Sequence, residues 1–202
     1  MTLLIFACGL TAGVVLELLL LRTLLVAPPF RIWPTPEPGS WQSFTFWGLF
    51  RGSWLATFVI AAFDWNAVPL LDWTRYIVAL PLGLAGLFIT VRGYFNLGLG
   101  NTYCGADGLV TGGLYRFSRN PQYTASIVGL IGLSLGANSV LTIAMSTVLF
   151  SAYLLMALVE EDWLKQRYGA PYRDYCRMTA RFLDVQGLIA LLDRKKPSRQ
   201  TG

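Results

Sequence analysis

The chain has 202 residues, of which 54% are hydrophobic and 13% are charged, and its formal net charge is +5. A soluble domain of this size carries about a quarter charged residues, so the composition excludes an ordinary water-soluble domain and favours a membrane protein. Nine of the sixteen Lys and Arg residues follow residue 159, and no basic stripe elsewhere is interleaved with aromatic residues. We therefore expect the membrane bilayer as a partner and no nucleic acid.

The chain lacks histidine, and its three cysteines, Cys8, Cys104 and Cys176, form no CxxC pair. The lack of histidine excludes histidine-based acid/base catalysis, histidine metal ligands and Ser-His or Cys-His nucleophiles. The cysteine spacing predicts neither a disulfide framework nor a zinc site, and we expect no metal. The apolar start lacks the positive charge of a secretory signal, so we expect the first span to be retained.

Five apolar segments approach the length of about 20 helical residues that crosses a bilayer. The third is short and contains Pro81, and only three residues separate the last two, which predicts a tight antiparallel hairpin. The sequence thus predicts an all-α, polytopic membrane helical bundle that forms one domain. The five predicted spans are Thr2–Ala27, Phe44–Phe63, Tyr76–Val91, Gln122–Gly136 and Val140–Val159.

Positive charge near the ends of spans favours the cytoplasmic side of a membrane. It clusters at Arg92, Arg116 and Arg119 and again from Lys165 onward, which places the N-terminus outside and the C-terminus in the cytoplasm. The compactness of the chain points to a bacterial or archaeal inner membrane. Within the single domain, 1–91 holds spans one to three, 92–183 contains the helical hairpin, and 184–202 is an interfacial segment with a basic tail.

Small residues mark the faces on which membrane helices approach closely. The proline-rich stretch after span one cannot continue a helix, and we expect an interfacial loop whose Trp33 and Trp41 lie at headgroup level. The predicted packing faces contain Gly9, Gly13, Ala79, Gly83, Gly86, Gly129, Gly132 and Gly136.

The stretch 109–123, LVTGGLYRFSRNPQY, contains the start of span four. Asn120 is a good N-cap, and Pro121 stands at the first helical position, where proline is preferred. The free N–H groups and the dipole of this helix would stabilise an anion, and Arg119 strengthens that preference. The pattern predicts an anion site at the cytoplasmic end of span four.

Span five is predicted to end nearby with three acids, Glu160, Glu161 and Asp162, where a helix C-terminus would prefer cations. Ionisable groups at a membrane boundary are expensive and usually paired, so this departure invites a functional interpretation. An anion site that faces an acidic cluster suits a ligand with both a carboxylate and an ammonium. Geometry alone does not single out one such ligand.

The order and spacing of these motifs resemble the isoprenylcysteine carboxyl methyltransferase and phospholipid methyltransferase superfamily of integral membrane enzymes. The resemblance covers roughly 92–183 and leaves spans one and two unmatched. It implies that 92–183 is a cofactor-binding half whose active site faces the cytoplasm. In many relatives a histidine stands at the position of Asn120, which can still form hydrogen bonds but cannot titrate as a base. The motifs are Gly113-Leu114-Tyr115-Arg116, Arg119-Asn120-Pro121-Gln122-Tyr123, Glu160-Glu161, Tyr168-Gly169, Tyr172 and Tyr175.

The resemblance implies methyl transfer from S-adenosylmethionine to a lipidic or small apolar acceptor, such as an isoprenylcysteine carboxylate, a phospholipid amine or a thiol. It implies catalytic roles for Glu160, Glu161 and Arg119. One acid would bind the methionyl ammonium and the other would orient a basic partner or the substrate, and which does which stays open. The cofactor-binding residues that it implies are Gly113, Leu114, Tyr115, Arg119, Asn120, Tyr123, Glu160, Tyr172 and Tyr175.

Two other functions stay open. One is an NADPH-dependent membrane reductase of the sterol reductase type, because those enzymes resemble the superfamily in their C-terminal half. The other is a non-enzymatic interaction or transport protein, in which the arginine and acid clusters only set topology and hold helices together. Glu161 and Lys165 also have the i,i+4 spacing of a simple solvated helix pair. The charged residues of spans one and two, Glu17, Arg22 and Arg51, could mark a substrate path or structural pairs. The acceptor atom and the oligomeric state are left undecided.

Overall fold

The computed structural model describes residues 1–26, 30–67, 73–98 and 108–183. In these ranges every regular element is helical, which confirms the prediction of an all-α fold. Cys104 and the predicted interfacial segment and tail, 184–202, lie outside the described residues. The elements are α1 (Thr2–Leu25), α2 (Trp41–Phe63), a π-helical turn (Arg75–Ala79) that continues into α3 (Leu80–Leu97), a 3₁₀ turn (Gly113–Arg116), α4 (Pro121–Ala137), α5 (Val140–Tyr168) and α6 (Ala170–Met178).

Four helices in the described ranges are long and apolar enough to cross a membrane: α1, α2, the continuous helix Arg75–Leu97 and α5. The fifth predicted span, α4, has 17 residues. At 1.5 Å per residue it measures about 26 Å, at the short end of what crosses a hydrocarbon core of roughly 30 Å. The predicted polytopic helical bundle is therefore confirmed, with four helices in the described ranges that are able to span. The crossing by α4 and the sidedness of the termini stay predictions.

Capping explains where α2 begins. The helix starts at Trp41, three residues before the predicted Phe44. The Ser40 hydroxyl accepts a hydrogen bond from the Ser43 N–H at 3.2 Å, which satisfies one of the donors that a helix start leaves unpaired. The hydrophobic pattern locates the apolar part of the helix and misses this polar first turn.

The third span is longer than predicted and contains a π-helical turn beside its proline. Pro81 has no N–H to donate and its ring crowds the preceding turn of a regular helix. In the turn before it, the Leu80 N–H bonds to the Arg75 carbonyl five residues back. This wider turn accommodates the proline, so that the helix continues without a break.

The end of α5 is the largest departure from the predictions. The helix does not end at Val159 but continues to Tyr168, so the three acids lie inside it. Its last turn holds Lys165 and Arg167, the cations that a helix C-terminus favours. The expectation that acids occupy a helix end was wrong, because the helix continues after its apolar membrane segment and stops only at Gly169, where φ is +61°.

The bundle consists of two packed groups of helices. In one group, α1, α2 and α5 surround an apolar core, and in the other α3 lies against α4, which also contacts α5. The core of the first group includes Leu16, Leu20, Phe46, Leu149 and Met156. On α1, Gly9 and Gly13 lie against side chains of α2 and α5, as the small-residue pattern predicts.

Glycines bring α3 and α4 into close contact. A Cβ atom added to Gly86 would lie 2.5 Å from the backbone nitrogen of Gly129. A Cβ on Gly132 would lie 2.5 Å from the backbone nitrogen of Gly83. The two backbones thus touch directly, which confirms the predicted packing face and holds the short α4 against its longer neighbour.

Replacing Gly86 with alanine should lower the free energy of unfolding by about 1–3 kcal/mol, because the methyl group overlaps the backbone of α4 and forces the helices apart. Thermal unfolding in detergent, followed by circular dichroism, measures the change. Gly52→Ala is the control: nothing lies within 4 Å of a Cβ at Gly52, so alanine should be neutral or stabilise by up to about 1 kcal/mol. Equal melting temperatures for Gly86→Ala and the parent would contradict the close packing.

Residues 32–35, in the segment between α1 and α2, are buried in the protein. Trp33 is 4% exposed and stacks on Phe46 with ring centroids 4.4 Å apart. Trp33 is thus covered by protein rather than exposed to headgroups, as stacking of aromatic rings favours, and its predicted depth at headgroup level stays a prediction. Trp41 is 59% exposed, which agrees with its predicted interfacial position.

Candidate functional site

A cavity lies where α3 ends and α4 begins, enclosed by the last turns of α5, by α6 and by the segment between α1 and α2. Nearly half of the residues that line it are aromatic, and Glu160 is the one acid among the described residues of its wall. Seven of the ten predicted site residues line this cavity: Tyr115, Arg119, Asn120, Tyr123, Glu160, Tyr172 and Tyr175. Helices that are distant in sequence thus bring most of the predicted site together.

Glu160 faces the cavity and is held by two uncharged donors. Its Oε2 accepts a hydrogen bond from the Tyr123 hydroxyl at 2.6 Å and one from the Trp33 indole N–H at 3.4 Å. No salt bridge joins Glu160 to any residue in the described ranges. Its carboxylate therefore has a fixed orientation, and no cation of this part of the chain neutralises it.

Glu161 lies in an ion-pair cluster and does not line the cavity. Its Oε1 lies 3.1 Å from Arg119 Nη1 and 3.3 Å from Lys165 Nζ. Its Oε2 lies 2.7 Å from Arg181 Nε. The expected i,i+4 pair with Lys165 is present, but it is one part of a larger cluster. Because three cations surround Glu161, Glu160 is the acid that remains available to a ligand.

Arg119 joins this cluster to the cavity. Burial alone would lower the pKa of Arg119, but the Glu161 carboxylate raises it above its ordinary value, so the guanidinium stays charged. Its Nε is buried without a hydrogen-bond partner among the described residues, and so is Nε2 of Gln122. Both residues line the cavity. Unpaired buried donors are costly, which makes these two groups suited to the anionic part of a ligand.

Three tyrosines form an uncharged wall beside Arg119. Tyr175 donates a hydrogen bond to the Tyr115 carbonyl at 2.6 Å and packs with Tyr115 and Tyr172 in one buried cluster. Burial raises the pKa of each of these phenols above its usual range. The wall therefore stays neutral near pH 7 and excludes water from the charged groups.

The start of α4 holds the segment that follows α6. The Arg119 N–H donates to the Ala180 carbonyl at 2.9 Å, and the Asn120 side-chain amide donates to the Arg181 carbonyl at 3.0 Å. Asn120 is the N-cap residue, as predicted, but its side chain does not cap the helix. It instead fixes the backbone that places Arg181 on Glu161.

Two predicted cofactor residues, Gly113 and Leu114, are not among the residues that line the cavity. They begin the 3₁₀ turn, with Gly113 at a φ of +60° that glycine adopts most easily. A Cβ at Gly113 would also come within 3.0 Å of the Asn96 side chain. In this structure the two residues shape the turn that directs Tyr115 into the cavity.

Sequence reasoning missed Trp33 and left the role of Arg181 open. Trp33 lies in a segment without a motif, and its contact with Glu160 joins residues 127 positions apart. Arg181 lies beyond the last of the motifs, Tyr175, and its neighbours in the sequence do not distinguish it. The sequence offered one signal for such a cation: two adjacent acids near the membrane need cations close to them.

Residues 74–171 match the family model described as phospholipid methyltransferase. No curated protein and no solved structure matches the chain. The match extends from the start of the third span into α6 and includes six of the predicted site residues that line the cavity or belong to the ion-pair cluster. It confirms the resemblance of the C-terminal half to the isoprenylcysteine carboxyl methyltransferase and phospholipid methyltransferase superfamily. The matched residues, slightly less than half of the chain, are thus similar to a methyltransferase family, whereas Trp33 and the whole of α2 lie outside the match.

Proposed function

We propose that the chain transfers a methyl group from S-adenosylmethionine to a lipidic acceptor at the cytoplasmic face of the membrane. The observation that carries the proposal is the position of Glu160. It is an oriented acid on the wall of an aromatic cavity, hydrogen-bonded to uncharged partners. Arg119 and Gln122, each with an unpaired buried donor, line the same cavity.

These residues suit a ligand with both an ammonium and a carboxylate, as the methionyl end of S-adenosylmethionine has. Glu160 would pair with the ammonium, and Arg119 and Gln122 would donate to the carboxylate. Glu161 would act on the ligand only through Arg119, whose position it holds. This division assigns different tasks to the two adjacent acids.

When bound, the cofactor would supply a methyl group on a positively charged sulfonium. In-line methyl transfer requires close positioning and exclusion of water more than acid/base assistance, so a site without histidine is adequate. The wall of Tyr115, Tyr172 and Tyr175 would exclude water, and Tyr123 and Trp33 would orient Glu160. Asn120 would contribute through the backbone that it holds rather than as a base.

Calorimetric titration of detergent-purified protein with S-adenosylhomocysteine tests the proposal. We expect saturable binding at one site, because the product retains the ammonium and the carboxylate of the cofactor. NADPH is titrated in parallel, since saturable binding of NADPH without binding of S-adenosylhomocysteine would favour the reductase. Folded protein that binds neither compound would favour the non-enzymatic alternative.

A further inference from the structure

A large apolar groove lies between α2 and α3 and is continuous with the cavity. Its volume is about 910 Å³, near the upper end of the range for ligand pockets. Its walls include Leu55 and Phe58 of α2 and Leu84 and Leu87 of α3. The groove and the cavity share five lining residues: Trp47, Phe50, Tyr94, Ser126 and Tyr153. A long apolar ligand in the groove would therefore reach the cavity with one end.

The groove contains one cation without a polar partner among the described residues. Arg51 lies near the middle of α2, about 15 Å along the helix from its start. Its guanidinium lies over the Trp47 ring, 4.8 Å from the centroid, and no hydrogen bond or ion pair joins Arg51 to a described residue. Arg75, which also lines the groove, donates to Asn66. No described residue on the groove wall is an Asp or a Glu.

An arginine at the depth of a membrane span is costly and normally has a counter-charge. We propose that Arg51 binds the anionic group, a phosphate or a carboxylate, of a lipid whose apolar chain fills the groove. The inference rests on the proposed function, in which this lipid is the methyl acceptor. Since the Arg51 guanidinium lies over Trp47, which the groove and the cavity share, the bound anion would lie where the two meet. Arg51 would thus determine which headgroup atom enters the cavity.

Competition binding tests this subsite directly. The probe is phosphatidic acid with a fluorophore on one acyl chain, bound to detergent-purified protein and displaced by unlabelled phosphatidic acid, oleic acid or diacylglycerol. The parent should prefer one or both anionic lipids over neutral diacylglycerol by about tenfold or more. A preference for phosphatidic acid identifies the phosphate as the anion, and a preference for oleic acid identifies the carboxylate.

Arg51→Gln should abolish the preference, and Arg51→Lys should retain much of it. Arg22→Gln is the matched control, because Arg22 packs on Phe30 and does not line the groove. Leu55→Trp should weaken binding of all three lipids in parallel by narrowing the groove. An equal affinity of the parent for anionic and neutral lipids, or an unchanged preference in Arg51→Gln, would overturn the proposal.

The cofactor titration separates this inference from the proposed function. Arg51→Gln should bind S-adenosylhomocysteine with the affinity of the parent, which would also show that the variant is folded. If the parent binds no S-adenosylhomocysteine but still shows the Arg51-dependent preference, the methyltransferase proposal fails and the lipid subsite remains. If cofactor binding is normal and the anion preference is absent, only the subsite is refuted.

Discussion

Replacing Glu160 with glutamine should weaken the binding of S-adenosylhomocysteine by about 100-fold or more while the protein stays folded. Glu160 is the one acid on the described cavity wall, and no protein cation pairs with it. Glutamine retains the shape and can still accept hydrogen bonds from Tyr123 and Trp33, but it cannot neutralise the ligand ammonium. Loss of one partner of a buried, hydrogen-bonded charge pair typically costs about 2–5 kcal/mol. Calorimetric titration measures the change.

The matched control is Asp162→Asn, which removes one negative charge two residues further along α5. Asp162 has a side chain that is 61% exposed and pairs with Lys165 outside the cavity. Its replacement should leave the affinity within about twofold, since exposed pairs contribute less than about 1 kcal/mol. If folded Glu160→Gln binds with the affinity of the parent, Glu160 is not the ammonium partner. An equal loss in Asp162→Asn would mean that overall charge, not position, determines binding.

The fold was predictable wherever the length of an apolar run determines that a helix forms. Runs of about 20 apolar residues can be satisfied in lipid only as helices, and the two-residue gap between α4 and α5 leaves room only for a tight turn. The same reasoning failed at the end of α5, because hydropathy reports the membrane-embedded part of a helix and not the whole helix. Polar residues up to Tyr168 continue the helix without lengthening its apolar part.

The candidate site was predictable in outline because Arg119 and Asn120 precede a helix start, where local chemistry can be read from residue type, and because the other motifs resemble those of a known family. The division of work between Glu160 and Glu161 was not. Successive residues of a helix point about 100° apart, so one of two adjacent acids can face the cavity while the other faces Arg119. Which one does so depends on how α5 is rotated against its neighbours, and a local pattern does not contain that rotation.

Contacts distant in sequence account for the rest of what was missed. Trp33 reaches Glu160 from before α2, and Arg181 reaches Glu161 from beyond α6. Neither segment has a periodic pattern, and each is positioned by burial or by hydrogen bonds to another element. The N-terminal half therefore contributes to the cavity wall even though the family match begins at residue 74.

Replacing Glu161 with glutamine should lower the free energy of unfolding by about 3–5 kcal/mol, because Arg119 would remain a buried charge without its partner. The side chains of Glu161 and Arg119 are 10% and 11% exposed, so solvent screens the pair little. For a chain of this length the loss corresponds to a fall in melting temperature of about 6–20 °C. Thermal unfolding in detergent, with S-adenosylhomocysteine absent, measures stability apart from ligand binding.

The double variant Glu161→Gln/Arg119→Gln identifies the cause of that loss. It removes both members of the buried pair, so its stability should exceed that of Glu161→Gln alone, since no unpaired buried guanidinium is left. The exposed pair Asp174–Arg177, with side chains 63% and 80% exposed, supplies the control: Asp174→Asn should change stability by less than about 1 kcal/mol. If Glu161→Gln is as stable as Asp174→Asn, or if the double variant is less stable than the single one, Glu161 does not hold Arg119 through their charges. The indirect role proposed for Glu161 would then be refuted. The direct role of Glu160 would be unaffected, because the titration of Glu160→Gln tests it separately.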